Sequence, residues 1–196
     1  MNCYGLAASA RRSTILKWVQ FHRPTLTSRP FSVVANDKDD PNYLWFKDGL
    51  KFSCNRCGNC CSGSSGSVRF NDKDEQSMAD FKGVDVQQFR DTYTRKRGRG
   101  KNAHRELKEV RTKGGYDCVF LERSQTTQLA ICGLYEHRPV QCRTFPFWDD
   151  IVATKESWHS MTRGKEGCKG MGKGKLRKYD DIVDSITVTN NWRENL

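Results

Sequence analysis

Four cysteines fall within eight residues in the stretch CNRCGNCC, at Cys54, Cys57, Cys60 and Cys61. Four more follow at Cys118, Cys132, Cys142 and Cys168. Three chemistries use thiols gathered this way. Disulfides would suit an even set of eight. A bridge between Cys60 and Cys61 is strained, however, because its Cα atoms need more than one peptide spacing. The chain is also long for a disulfide scaffold. Dithiol exchange needs one activated CxxC pair, and the overlapping spacings here exceed that need. No βαβ pattern surrounds them either. Metal ligation is the strongest of the three. A C-x2-C turn directs two thiolates at one ion, and tetrahedral zinc accepts four at about 2.3 Å. Iron–sulfur clusters also take four cysteines.

The spacing asks for distant ligands. Cys54, Cys57 and Cys60 reproduce the C-x2-C-x2-C opening of bacterial-type ferredoxin ligation, but the closing C-x3-C-P is absent. The C-x3-C-x2-C spacing of radical methionine-cofactor enzymes is absent too. Cys118, Cys132, Cys142 and Cys168 are therefore expected to converge on the cluster, forming two four-coordinate centres or one centre with spare thiols. Neighbouring side chains diverge in most backbone conformations. Cys60 and Cys61 are thus expected to serve different centres, or one of them to be a core thiol. Gly58 and Gly63 leave the backbone free to wrap closely.

CNRCGNCC, then DCVFL, then ICGLYEHRPVQCRTFPFW, then GCKGMGKG, resembles the CxxCxxCC family of zinc- or iron-chelating domains. Its bacterial members include small YkgJ-type proteins, and the domain is similar to part of flagellin lysine N-methylase. The resemblance spans roughly residues 50–175 and includes the Y-x-x-R-P-x-x-C-R-x-F-P pattern from Tyr135 to Pro146. It implies a metal centre built by the shared cysteines, holding zinc or iron, the latter as an ion or as [4Fe–4S]. By analogy with the methylase it also admits an iron–sulfur enzyme, acting in electron transfer or lysine N-methylation.

Arg138 and Arg143 flank Cys142. Either can donate hydrogen bonds toward thiolates and offset their charge; the plainer role for Arg138 is a pair with Glu136 or Asp149. Tyr135, Phe145, Phe147 and Trp148 are expected as core aromatics around the site. His137 and His159 are further metal-ligand candidates, made unnecessary by eight thiols. His104 is expected in solvent.

These residues need a scaffold. With 196 residues and a hydrophobic share of 36%, one domain with a thin core is expected, which a metal would staple. The net charge of +11 favours an acidic partner. The most basic stretch, Arg95 to Lys113, is a candidate surface for RNA or an acidic protein, with a solvated loop as the plainer alternative. No apolar run is long enough to span a membrane. Residues 1–36 contain five Arg and Lys but no Asp or Glu. That composition predicts a chloroplast or mitochondrial transit peptide and removes Cys3 from the site.

Residues 37–49 are expected as a linker, 50–175 as the metal-binding domain, and 176–196 as a C-terminal helix and tail. Helices are predicted over 71–81 and 85–94, the second opened by Asp85 with Gln88 three residues on. Strands are predicted at 68–70 and 106–111. Residues 116–121 and 129–131 are expected to form a hairpin with 122–128 as its turn. RKRGRGK, from Arg95, is expected as a loop. Pro139 and Pro146 should keep the Cys142 segment irregular. A Gly- and Lys-rich loop is expected over 164–174, followed by a helix over 175–189. The fold class is α+β: a small single domain with short helices, a β-hairpin and long loops, organised around a cysteine-ligated metal centre. The function read from it is metal binding. A third alternative is a zinc-stabilised module binding RNA or another polyanion.

Overall fold

Polar residues at their ends fix the first two helices. In the computed structural model, which describes residues 45–127 and 129–196, helix α1 (Asp72–Lys82) starts where Asn71 accepts the Asp74 N–H at 2.9 Å. It stops at Gly83, whose φ of 67° is left-handed. Asp85 caps α2 (Val86–Tyr93) by accepting the Gln88 N–H at 2.8 Å. Both helices lie where the sequence predicts them. The expected transit peptide and residues 37–44 of the expected linker lie outside the described residues.

The basic stretch is not a loop throughout. Strand β3 (Thr94–Arg97) pairs antiparallel with β4 (His104–Leu107). Glu106 explains the change. Its side chain is fully buried, and it receives Arg95 at 2.7 Å and Arg97 at 2.9 Å. Glu109 takes the other arm of Arg95 at 2.6 Å. Burial alone would raise the Glu106 carboxyl, but donors from Ser67, Arg97 and Arg95 outweigh it and hold it below the usual glutamate range. Two of the arginines in this run, Arg95 and Arg97, are thus engaged within the chain.

The strand expected over 106–111 is two strands, divided at Lys108. β4 pairs with β3, whereas β5 (Glu109–Thr112) pairs with β6 (Gly115–Cys118). A short β2 (Ser62–Gly63) covers the other edge of β6. That pairing takes residues 116–118 away from the hairpin expected for them. The downstream hairpin is instead β7 (Leu121–Arg123) with β8 (Ala130–Cys132), in register Leu121↔Cys132. The strand expected at 68–70 is a single bridge, Arg69 to Glu106.

Pro139 begins a helix rather than preventing one. It precedes α3 (Val140–Thr144), a place where its missing N–H has no helical partner to lose. Two short helices follow, α4 (Asp149–Val152) and α5 (Lys155–Ser160). The glycine-rich loop then ends in β9 (Met171–Arg177), which pairs antiparallel with β1 (Leu50–Phe52) and has a bulge between Lys51 and Phe52. Residues 175–177 therefore belong to a strand, and the C-terminal helix is α6 (Tyr179–Glu194). The α+β class stands, built from several small antiparallel sheets and short helices.

Two apolar clusters form the interior. One joins Phe46, Phe147, Trp158, Met171, Ile182 and Ile186, and it contains Cys168. The other is built on Met78, Phe89, Leu107, Phe120 and Leu134, with Cys118 and Cys132 packed against it. Among the described residues, no helix is long and apolar enough to cross a membrane.

Candidate metal centre

The CNRCGNCC loop is curled by two left-handed residues, Arg56 at φ 58° and Gly58 at φ 79°. Glycine is required at the second. A Cβ there would stand 2.8 Å from the Ala130 Cβ, closer than two carbons tolerate. The turn is closed by the Cys61 N–H donating to the Gly58 carbonyl at 2.8 Å, and by the Ser62 hydroxyl at 3.0 Å.

Two seams hold this loop. On one, Asn59 donates to the Lys165 and Gly167 carbonyls at 2.8 and 2.9 Å, and the Ser53 N–H reaches the Gly170 carbonyl at 3.4 Å. These contacts bring the Cys168 segment alongside. On the other, the Cys118 N–H donates to the Cys61 carbonyl at 2.7 Å and the Ala130 N–H to the Arg56 carbonyl at 2.8 Å. These bring β6 and β8, carrying Cys118 and Cys132, against the opposite side. Cys142 arrives on α3. That helix is held by Asp74, which accepts the Val140 N–H at 3.2 Å, and by Gln141, which donates to the Ser67 carbonyl at 2.9 Å.

All eight described cysteines are free thiols, and their exposure ranges from Cys54 and Cys60 at the surface to buried Cys168. The Cys60 and Cys61 sulfurs are 3.5 Å apart. They do not diverge, contrary to the expectation for adjacent residues. Two ligands of one tetrahedral ion with bonds near 2.3 Å stand about 3.8 Å apart, so this pair is close to a shared-ion spacing.

Although Cys60 reaches the surface, its thiol is pushed well above the ordinary range, first by the hydrogen bond with Cys61, then by the partial loss of hydration around its sulfur and by the charges of Cys61 and Cys57. Burial pushes Cys118 up to about 11, and Cys132 and Cys60 add to it. Cys142 is driven well up by burial and then by Cys118, Cys60 and Cys132. Cys132 rises through burial, with Cys60 and Cys54 contributing. Cys168 rises through burial, with Cys60 and Cys57 contributing. Backbone N–H groups oppose the rise: Phe120 at Cys118, Leu134 at Cys132, Gly170 and Met171 at Cys168. Such donors orient sulfur and favour thiolate, as metal-binding cysteines require.

The thiols are gathered without being closed. Among the described residues, no three His, Cys, Asp or Glu side chains stand close enough to hold an ion as placed. Metal binding displaces thiol protons and draws the sulfurs around the ion. The donor chemistry suits zinc or iron, both of which take soft sulfur ligands.

The flanking residues divide. Arg138 does not pair with Glu136 or Asp149. It lies over the Tyr135 ring at 4.0 Å and donates to the Tyr135 carbonyl at 2.8 Å. From there its charge lowers the Cys132 and Cys142 thiols against the effect of burial. Tyr135 is 44% exposed, so it is a platform for Arg138 rather than a core aromatic. Arg143 turns to Asp74 at 3.8 Å, and Asp149 pairs with Arg193 at 2.8 Å. His137 contacts Ser77 at 3.1 Å and stacks on Phe81, and His159 is exposed. His104 is half-buried, its ring 3.0 Å from the Asn102 carbonyl.

Asn59 and Asp74 were not singled out from the sequence. Asn59 had a usable signal, a side-chain amide between two cysteines. Asp74 had none, because its partners Val140 and Trp192 are 66 and 118 residues away.

The family model CxxCxxCC, described as a putative zinc- or iron-chelating domain, matches residues 53–170. No solved structure matches the chain.

Proposed function

Because this chain belongs to the CxxCxxCC family of zinc- or iron-chelating domains, we propose that it is a metal-binding protein whose ligands are the thiols around Cys60. One observation carries this reading. Cys60 lies 3.5 Å from the Cys61 sulfur, in a loop whose backbone and side-chain hydrogen bonds bring the Cys118, Cys132 and Cys168 segments alongside it. A buried small hydrophobe explains one such cysteine but not this many brought to one loop.

The chain's own residues prepare the site. The curled loop points Cys57, Cys60 and Cys61 toward segments carried by distant elements. The N–H donors from Phe120, Leu134 and Gly170 favour the thiolate form, and Arg138 offsets its charge. A bound zinc or iron supplies a cross-link between segments that are otherwise joined by few hydrogen bonds. Because a metal ion displaces thiol protons as it binds, uptake releases protons and strengthens as pH rises.

The test is purification without oxygen, followed by zinc, iron and acid-labile sulfide analysis and a visible spectrum. Bound zinc or iron supports the proposal. Brown protein with equal iron and sulfide identifies a cluster, and colourless zinc protein identifies an ion site. Protein that stays metal-free after reconstitution with either metal overturns it.

A further inference from the structure

The hairpin of β3 and β4 is rooted in the fold and bare at its end. Its root is held by Leu107, which lies in the apolar cluster of Phe89 and Phe120, and by buried Thr94 and Glu106. Beyond that root, residues 96–103 are exposed without a break. They read KRGRGKNA: four cations, no acid, no aromatic, and nothing apolar larger than alanine. The tip is nonetheless a defined turn. Gly98 and Gly100 take left-handed φ values of 79° and 57°, and a Cβ on Gly98 would collide with the Asn102 carbonyl. The Asn102 N–H donates to the Arg99 carbonyl at 3.2 Å, and the Ala103 N–H to the Gly100 carbonyl at 3.0 Å.

The charge on this ribbon is not offset within the chain. Glu106 and Glu109 are taken up by Arg95 and Arg97. Among the described residues, Lys96, Arg99, Lys101 and Arg105 form no ion pair. Lys96 stands directly opposite Arg105 across the strand pair, a placement that costs stability for like charges. Arg105 turns to the Thr94 hydroxyl at 2.8 Å rather than to an acid.

We infer that this ribbon is a binding surface for duplex DNA, held through phosphates rather than bases. The inference goes beyond the metal-binding reading and does not depend on it. Phosphates supply closely repeated negative charge, which four uncompensated cations on a preset turn can meet. The major groove of B-form DNA is about 12 Å wide and admits a two-stranded ribbon whose strands are about 5 Å apart. Lys96 and Arg105 sit one on each strand, so each has a phosphate wall on its own side. Other polyanions fit less well. The major groove of duplex RNA is deep and too narrow for side chains to enter. A single strand needs aromatic rings on which to stack its bases. An acidic protein needs aromatic or apolar anchors at the centre of the contact, and an anionic membrane needs apolar residues to insert. Residues 96–103 offer neither.

The experiment titrates the full chain against a fluorescein-labelled DNA duplex of about 20 base pairs at several salt concentrations, read by anisotropy. In Lys96→Gln with Lys101→Gln, the slope of log affinity against log salt should shrink by about 2, and affinity at low salt should fall about 10-fold, because two phosphate contacts are lost. Lys155→Gln with Lys175→Gln removes the same charge from exposed lysines on α5 and β9 and should leave the slope unchanged. Unlabelled competitors separate the ligands. Duplex DNA should displace the probe at lower concentration than duplex RNA, single-stranded RNA, polyglutamate or phosphatidylserine vesicles. Equal slopes in the parent and the hairpin variant, or an equal loss in the variant on α5 and β9, would overturn the inference. So would a better competitor than duplex DNA among these, or a parent chain that does not bind the duplex.

Discussion

The sulfurs of Cys60 and Cys61 lie 3.5 Å apart, although adjacent side chains ordinarily point away from each other. The left-handed turn at Arg56 and Gly58 makes this possible by curling the chain just before them. Gly58→Ala would add a Cβ 2.8 Å from the Ala130 Cβ in a conformation that alanine disfavours. The loop would lift from β8. A loss of about 1–3 kcal/mol of stability is expected from the overpacking, with a larger proportional loss of metal affinity. Denaturant unfolding and chelator competition on the same variant measure both.

Asp74 ties the two ends of the domain together. It accepts the Trp192 indole N–H at 3.0 Å and the Val140 N–H at 3.2 Å, all out of contact with water. Asp74→Ala leaves two buried donors without partners. At about 1–3 kcal/mol for each unsatisfied group, the domain should lose about 2–6 kcal/mol. Trp192→Phe removes one donor and should cost less than Asp74→Ala. Urea unfolding of the two variants checks both the size and the order.

Glu106 supplies an acid-sensitive contribution. Its carboxyl is held below the usual range by Ser67, Arg97 and Arg95, despite burial. A lowered folded pKa means stability present above the unfolded glutamate value, and lost as pH falls through the folded one. Asp74 has the opposite sign, because burial raises its carboxyl despite Arg143 and its N–H donors. The acid limb of a stability–pH curve should therefore flatten in Glu106→Gln and stay in Asp74→Asn. An acid limb equally steep in Glu106→Gln would count against this assignment.

Arg138 acts on the thiols through its charge, held in place by the Tyr135 ring at 4.0 Å. Removing it in Arg138→Ala should weaken metal binding about 10–100-fold, the usual cost of losing a group that supports ligands. Arg138→Lys keeps the charge but not the planar stack, and should fall between the two. Affinity is read by competition with a chromogenic chelator. Equal affinities would remove Arg138 from the site.

The sequence was most legible where structure is local. The helices at Asp72–Lys82 and Val86–Tyr93 follow from Asn71, Gly83 and Asp85, each acting within a few residues. The strand partners were less legible. Residues 116–118 read as the partner of 129–131, whereas the edge offered by Ser62–Gly63 and the path of β5 set them beside 109–112 instead. The basic run read as a loop because Glu106 and Glu109, which pair with Arg95 and Arg97, act across a strand pair rather than along the chain. At the site, the cysteines announced themselves by type and spacing. Which of them share a side could not be read, because that depends on two apolar clusters assembled from distant segments.

The central claim is that sulfur from the Cys60 group binds the metal. X-ray absorption at the metal edge of protein purified without oxygen tests it most directly. The expected spectrum has a first shell of sulfur alone, at about 2.3 Å for zinc, which disappears with the metal in Cys60→Ser. A first shell of oxygen and nitrogen, or an unchanged sulfur shell in Cys60→Ser, would contradict it.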